Sequence, residues 1–111
     1  MTDITERAAR LALAAVLAAP ASAAQAEAAD LAAGEEHYQG VCRNCHGPTA
    51  KGLASFPKLA GQTAQYLTER LEGYRAGETF GPNTPLMAPH AAELSDGEIA
   101  DIAAYIASLP D

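Results

Sequence analysis

The segment LAAGEEHYQGVCRNCHGP, Leu31 to Pro48, places apolar or small residues at Leu31, Gly34, Tyr38, Val41, Cys42 and Cys45. Their spacing in steps of three and four is that of one face of a helix, and it predicts a helix from Asp30 to His46. Gly47 and Pro48 stop it. Two cysteines and a histidine therefore stand at a helix end, with a Gly- and Pro-bearing loop running on to Gly61.

Working outward, Ala64, Leu67, Leu71 and Tyr74 form the apolar face of a second helix from about Thr63 to Ala76, with Glu69 and Glu72 off that face and Gly77 at its end. The stretch from Gly77 to Ala91 holds Gly81, Pro82, Pro85 and Pro89 and reads as a long loop. The last helix begins at Ser95, an N-cap whose capping-box partner is Glu98, and Leu94 is placed to staple onto Ile99. Its buried face is Ile99, Ile102, Ala103, Ile106 and Leu109, and Pro110 follows. No segment alternates with period two over a useful length, so the fold class is all-α: three main helices and room for a short extra turn.

The chain has 111 residues, the size of one domain. Residues 1–26 read as a cleaved signal peptide: Arg7 and Arg10 precede the apolar run Leu11–Ala19, and Ala21-Ser22-Ala23 and Ala24-Gln25-Ala26 offer small-residue cleavage sites. The run is too short for a bilayer span, which needs about 20 apolar residues. Residues 27–111 are then the mature domain, exported to the periplasm and without a membrane span. The leader carries Asp3 and Glu6 against Arg7 and Arg10, so the net charge of −7 belongs to the mature part. Such a charge excludes nucleic acid and favours a redox partner with a basic docking surface.

Cys42-Arg43-Asn44-Cys45-His46 has the form C-x-x-C-H, the attachment signature of a c-type haem. Two thiols on one side of a helix can add to the two haem vinyl groups, and the next residue brings an imidazole to the iron. A disulfide between Cys42 and Cys45 would close a loop too small to matter. A structural zinc site needs a second ligand pair, which the chain lacks, and a thioredoxin-like dithiol expects a βαβ context. The reading is one covalent haem c.

For the sixth iron position, Met1 falls in the leader, which leaves Met87 in Leu86-Met87-Ala88-Pro89 as the thioether candidate. His90 is the alternative, and would give a bis-histidine site of lower potential. His37 lies on the attachment helix and reads as solvated. A ligand sensor or peroxidase would need an open iron position, against which Met87 argues.

With these motifs the sequence resembles the class I cytochrome c family, of the bacterial periplasmic type, from Gly34 to Leu109. The resemblance rests on the attachment motif, Gly34 and Tyr38 before it, Pro57-Lys58-Leu59-Ala60-Gly61 after it, Met87, and Tyr105 in the last helix. It implies a small fold of three to four helices around one haem, its first and last helices crossing at Gly34 with Tyr38 or Tyr105 at the crossing. It implies that the Pro57 carbonyl accepts a hydrogen bond from the His46 ring and that Leu59 touches the haem face. It implies an electron carrier, not an enzyme: a monomer shuttling single electrons between redox proteins, or the haem subunit of a periplasmic oxidoreductase complex.

Overall fold

The computed structural model describes residues 28–111; the expected signal peptide, 1–26, lies outside them. Helix α1 spans Leu31–His37, a π-helical segment Tyr38–Cys42 continues it, and α2, Arg43–His46, completes the attachment helix. Helices α3, Ala64–Ala76, α4, Thr84–Ala92, and α5, Asp96–Ala107, follow. Among the described residues the only pairing of extended chain is one isolated bridge between Leu53 and Phe56.

Helices α1, α3 and α5 each start where the sequence offers an oxygen to the free amides of the first turn. Asp30 accepts from Ala33 N, Thr63 from Tyr66 N, and Ser95 from Glu98 N, the last in a complete capping box with Glu98. Leu94 and Ile99 are both buried in one core cluster, as the staple requires. Helix α3 ends at Gly77, whose φ of 93° is a left-handed cap.

Helix α4 corrects the sequence reading, which has a loop there. Pro85 stands in its first turn, where an amide has no partner to lose. Pro89 lies further in, but the helix is only nine residues long, so it removes one bond from a short ladder. Thr84 is buried and its hydroxyl accepts from Phe80 N at 2.9 Å, which holds the approach to the helix.

The core forms where α1 crosses α5. A Cβ built at Gly34 would sit 2.0 Å from the Asp101 carbonyl oxygen and 3.0 Å from Tyr105 Cβ, so only glycine lets the two backbones come this close. Beside the crossing, the Tyr38 and Tyr105 rings lie 5.7 Å apart at 48°. Tyr38, Ile99 and Ile102 are the largest fully buried side chains, with Ala103, Ile106 and Leu67 around them. Each such large side chain contributes roughly 1.5–3 kcal/mol by leaving water.

The apolar stripe of the attachment helix is broken at two places. Leu31 is 51% and Val41 38% exposed. The π-helical segment accounts for Val41: its wider turn advances each residue by a smaller angle, so Cys42 comes under Tyr38 and Val41 turns outward.

Candidate functional site

Cys42 closes the π-helical segment and Cys45 and His46 follow on α2. Both thiols are half-buried and unpaired. Burial pushes the Cys42 thiol up to about 11. A reactive dithiol needs the opposite shift, so the surroundings of Cys42 do not favour that alternative.

His46 is buried, and its Nδ1 stands 2.9 Å from the Pro57 carbonyl oxygen. A carbonyl can only accept, so Nδ1 carries the proton and Nε2 keeps its lone pair for a metal. The backbone behind the ring is fixed over three consecutive carbonyls. His46 O accepts from Gly52 N at 2.8 Å, Gly47 O from the Tyr38 hydroxyl at 2.5 Å, and Pro48 O from Gln39 Nε2 at 3.0 Å. Gln39 also donates to the Tyr105 hydroxyl at 3.2 Å and accepts from Arg43 at 3.2 Å, which ties the attachment turn to α5.

The loop from Gly47 to Gly61 is built on the carbonyl of buried Ala50, which accepts from Leu59 N at 2.8 Å and Ala60 N at 2.9 Å. Ala50 and Ala54 take positive φ, 61° and 51°, at a cost of roughly 1–2 kcal/mol each. Leu59 thereby comes half-buried against the core, in company with Cys42, Ala64 and Leu71.

Met87 comes from a separate element, the first half of α4, which packs on α3. It is half-buried, and its amide bonds to Asn83 O at 3.3 Å. His90, in the last turn of α4, is exposed. His37 is half-buried rather than solvated, in a groove of about 230 Å³ lined by Ala33, Glu36, Glu98 and Asp101. Glu98 is held below the usual carboxylate range, chiefly because it accepts the Ser95 backbone N–H.

The sequence reading thus has Cys42, Cys45, His46, Pro57 and Leu59 in one neighbourhood. It missed Gln39 as a strut and Tyr38 as a donor to Gly47. Neither carries a local signal, because both reach carbonyls nine residues ahead.

This donor set fits a haem. Two adjacent unpaired thiols stand half-buried on one helix end, an imidazole with a free Nε2 follows them, and the half-buried apolar side chains Leu59, Ala64 and Leu71 pack with Cys42 against the same core. A small helical domain with this arrangement is a c-type haem protein. The family model for cytochrome c matches residues 31–110. Cytochrome c-554(548) of Halomonas halodenitrificans is 50% identical over 82 residues, covering 73% of this chain and 98% of that protein. Among solved structures, cytochrome c4 of Acidithiobacillus ferrooxidans aligns with a TM-score of 0.64 at 31% identity, over 71% of this chain and 49% of that one. Thiosulfate dehydrogenase (TsdBA) of Marichromatium purpuratum aligns with a TM-score of 0.66 at 32% identity, over 91% of this chain and 22% of that one. The chain belongs to the cytochrome c family: it binds haem c covalently and transfers electrons.

Proposed function

We infer that the chain is a periplasmic one-electron carrier in which Cys42 and Cys45 form the two thioethers and His46 and Met87 are the axial iron ligands. The observation that carries this reading is the His46 ring, buried directly after the second cysteine, with Nδ1 engaged by Pro57 and Nε2 left for iron. The bound haem supplies an iron that alternates between ferric and ferrous. The chain's own residues hold the imidazole by its Nδ1 proton, fix the orientation of its ring through the Pro57 carbonyl, and keep water from the proximal side with Leu59 and the core. Met87, half-buried where His90 is exposed, is the better placed of the two distal candidates. Residues 27–111 are the mature domain on this reading and 1–26 the export signal. No described helix is long and apolar enough to cross a membrane.

Mass and absorption spectra of the exported protein test it together. The expected result is a chain shortened at Ala26 or Ala23 and heavier by one haem, with a six-coordinate low-spin spectrum. A chain carrying no haem, or a ferric haem open to added ligands, would count against it.

A second reading is favoured by the alignment over 91% of this chain with a fifth of the Marichromatium purpuratum enzyme. On it, the protein is the haem c electron-transfer subunit of a periplasmic oxidoreductase complex. Gel filtration of native material separates the two: co-elution with a catalytic chain supports the subunit, elution as a monomer the free carrier. In either case the partners are redox proteins, and the net charge of −7 supports a basic surface on them.

A further inference from the structure

The segment that carries Met87 is tied back onto the end of α3 at both of its own ends. At its entry, Gly77 caps α3 in the left-handed region and the chain reverses, so that Phe80 comes to lie over Gly73. A Cβ built on Gly73 would sit 2.5 Å from Phe80 Cζ and 2.9 Å from its Cε2, so the ring occupies the place of a side chain. Neighbours on α3 hold it there. Tyr74 meets the ring edge-on with centroids 4.8 Å apart, and the Arg70 guanidinium stands 4.1 Å from its centroid while donating to the Tyr66 hydroxyl at 2.8 Å. The Phe80 amide in turn donates to the hydroxyl of Thr84, the first residue of α4.

At its exit, Arg75 reaches from the last turn of α3 to the turn between α4 and α5. Its guanidinium donates to Leu94 O at 3.1 Å and pairs with the Asp96 carboxylate at 2.7 Å. Asp96 is 85% exposed, where an ion pair adds little, so the half-buried bond to Leu94 O is the stronger tie. Met87 stands midway between Phe80 and Leu94 in sequence. The helix between these anchors has little hold of its own: Asn83 gives it no side-chain cap, and Pro89 removes a bond from its short ladder.

We propose that Gly73, Phe80 and Arg75 form a two-ended clamp that positions Met87 for the iron, and so set how readily an outside ligand replaces its sulfur. The proposal rests on the assignment of Met87 as the distal ligand. All three are positioning residues, acting through the backbone on either side of α4. An added ligand binds the ferric iron only in the fraction of molecules whose sulfur has moved away, so its apparent affinity measures that fraction. A loosened clamp raises the affinity, and weaker thioether ligation lowers the reduction potential with it.

The test is imidazole titration of the ferric holoprotein, with the near-infrared thioether band, the reduction potential and chemical unfolding followed in parallel. Gly73→Ala is decisive because alanine is the better helix former. If Gly73 is an ordinary helix position, the variant is more stable and binds imidazole as wild type does. If it seats Phe80, the new methyl displaces the ring, and imidazole is expected to bind roughly tenfold more tightly. Phe80→Leu should raise the affinity by itself, and adding Gly73→Ala to it should change little, because the displaced ring is already gone. Arg75→Met keeps the stem but removes both donors and should raise the affinity severalfold, whereas Asp96→Asn, which removes only the exposed ion pair, should stay within about twofold of wild type. Wild-type affinity in either Gly73→Ala or Arg75→Met would overturn the two-ended clamp. So would an affinity that merely follows the loss of global stability across all the variants, since the opening would then be general unfolding. Met87→Ala separates the proposal from the assignment beneath it: with Met87 as ligand, this variant binds imidazole tightly and no longer responds to Gly73→Ala. A wild type without the thioether band would sink the assignment and the clamp with it, while a wild type with the band and an affinity indifferent to these substitutions would sink the clamp alone.

Discussion

The two sides of the haem site are built differently. On the proximal side, His46 is buried, its Nδ1 is bound to Pro57, and the three carbonyls from His46 to Pro48 are each tied to a different donor. On the proposed distal side, Met87 sits half-buried on a nine-residue helix with two prolines, whose N-cap Asn83 makes no side-chain cap bond. The protein holds the proximal ligand in place by its own bonds. Met87, the proposed distal ligand, is held mainly by the packing of α4 on α3, so on that assignment the iron itself completes that side.

The largest expected effect breaks the proximal side. His46→Ala removes the imidazole and the bond to Pro57 at once, and the exported protein should fail to mature, with no haem-bearing band on a denaturing gel stained for peroxidase activity. A holoprotein at wild-type yield would show that the thioethers alone suffice. On the distal side the same kind of truncation should be survived. Met87→Ala is expected to give holoprotein at near wild-type yield that lacks the near-infrared thioether band of the ferric state and has a lower reduction potential. An unchanged spectrum would pass the role to His90.

The asymmetry also sets what the sequence could disclose. The proposed proximal ligand follows from adjacency within Cys42–His46, and the core crossing from Gly34 and the α5 stripe, because helical periodicity and a missing side chain are local signals. The helical state of Thr84–Ala92 was not legible: three prolines within eight residues of Pro82 argue for loop, and only burial of Thr84 and packing on α3 overrule them. Nor was the outward turn of Val41, since a π-helical segment has no residue signature in YQGVC. The loop after His46 was legible as irregular, but its left-handed Ala50 and Ala54 are set by tertiary hydrogen bonds rather than by residue preference.

A smaller effect sharpens the proximal side. Tyr38→Phe keeps the ring in the core and removes its hydroxyl from Gly47 O, which retains a bond from Ala50 N at 3.2 Å. The expected loss is about 1–2 kcal/mol in denaturant unfolding. It should carry a pH signature. Burial raises the Tyr38 phenol from an ordinary 10 to about 12, so the neutral form is favoured in the fold. The contribution is complete below pH 10 and is lost as pH rises toward 12. The wild-type advantage over Tyr38→Phe should therefore shrink across that range, and a difference constant in pH would show that the hydroxyl is not buried.

The smallest effect lies outside both sides, at the start of α5. Ser95→Ala removes the acceptor for Glu98 N and should cost about 1 kcal/mol, read from chemical unfolding of the holoprotein. Its partner bond, Ser95 N–H to the Glu98 carboxylate at 2.9 Å, uses backbone and survives the substitution. That carboxyl is held below its ordinary value of 4.5, so its stabilising charge is present above that value and is lost as pH falls below it. Glu98→Gln should accordingly be less stable than wild type near neutrality and converge with it in acid, whereas Ser95→Ala should stay offset. The two variants separate the hydroxyl half of the capping box, which does not titrate, from the carboxylate half, which does. If both also leave the Met87 spectral band intact, the capping box serves the α5 core and not the distal ligand.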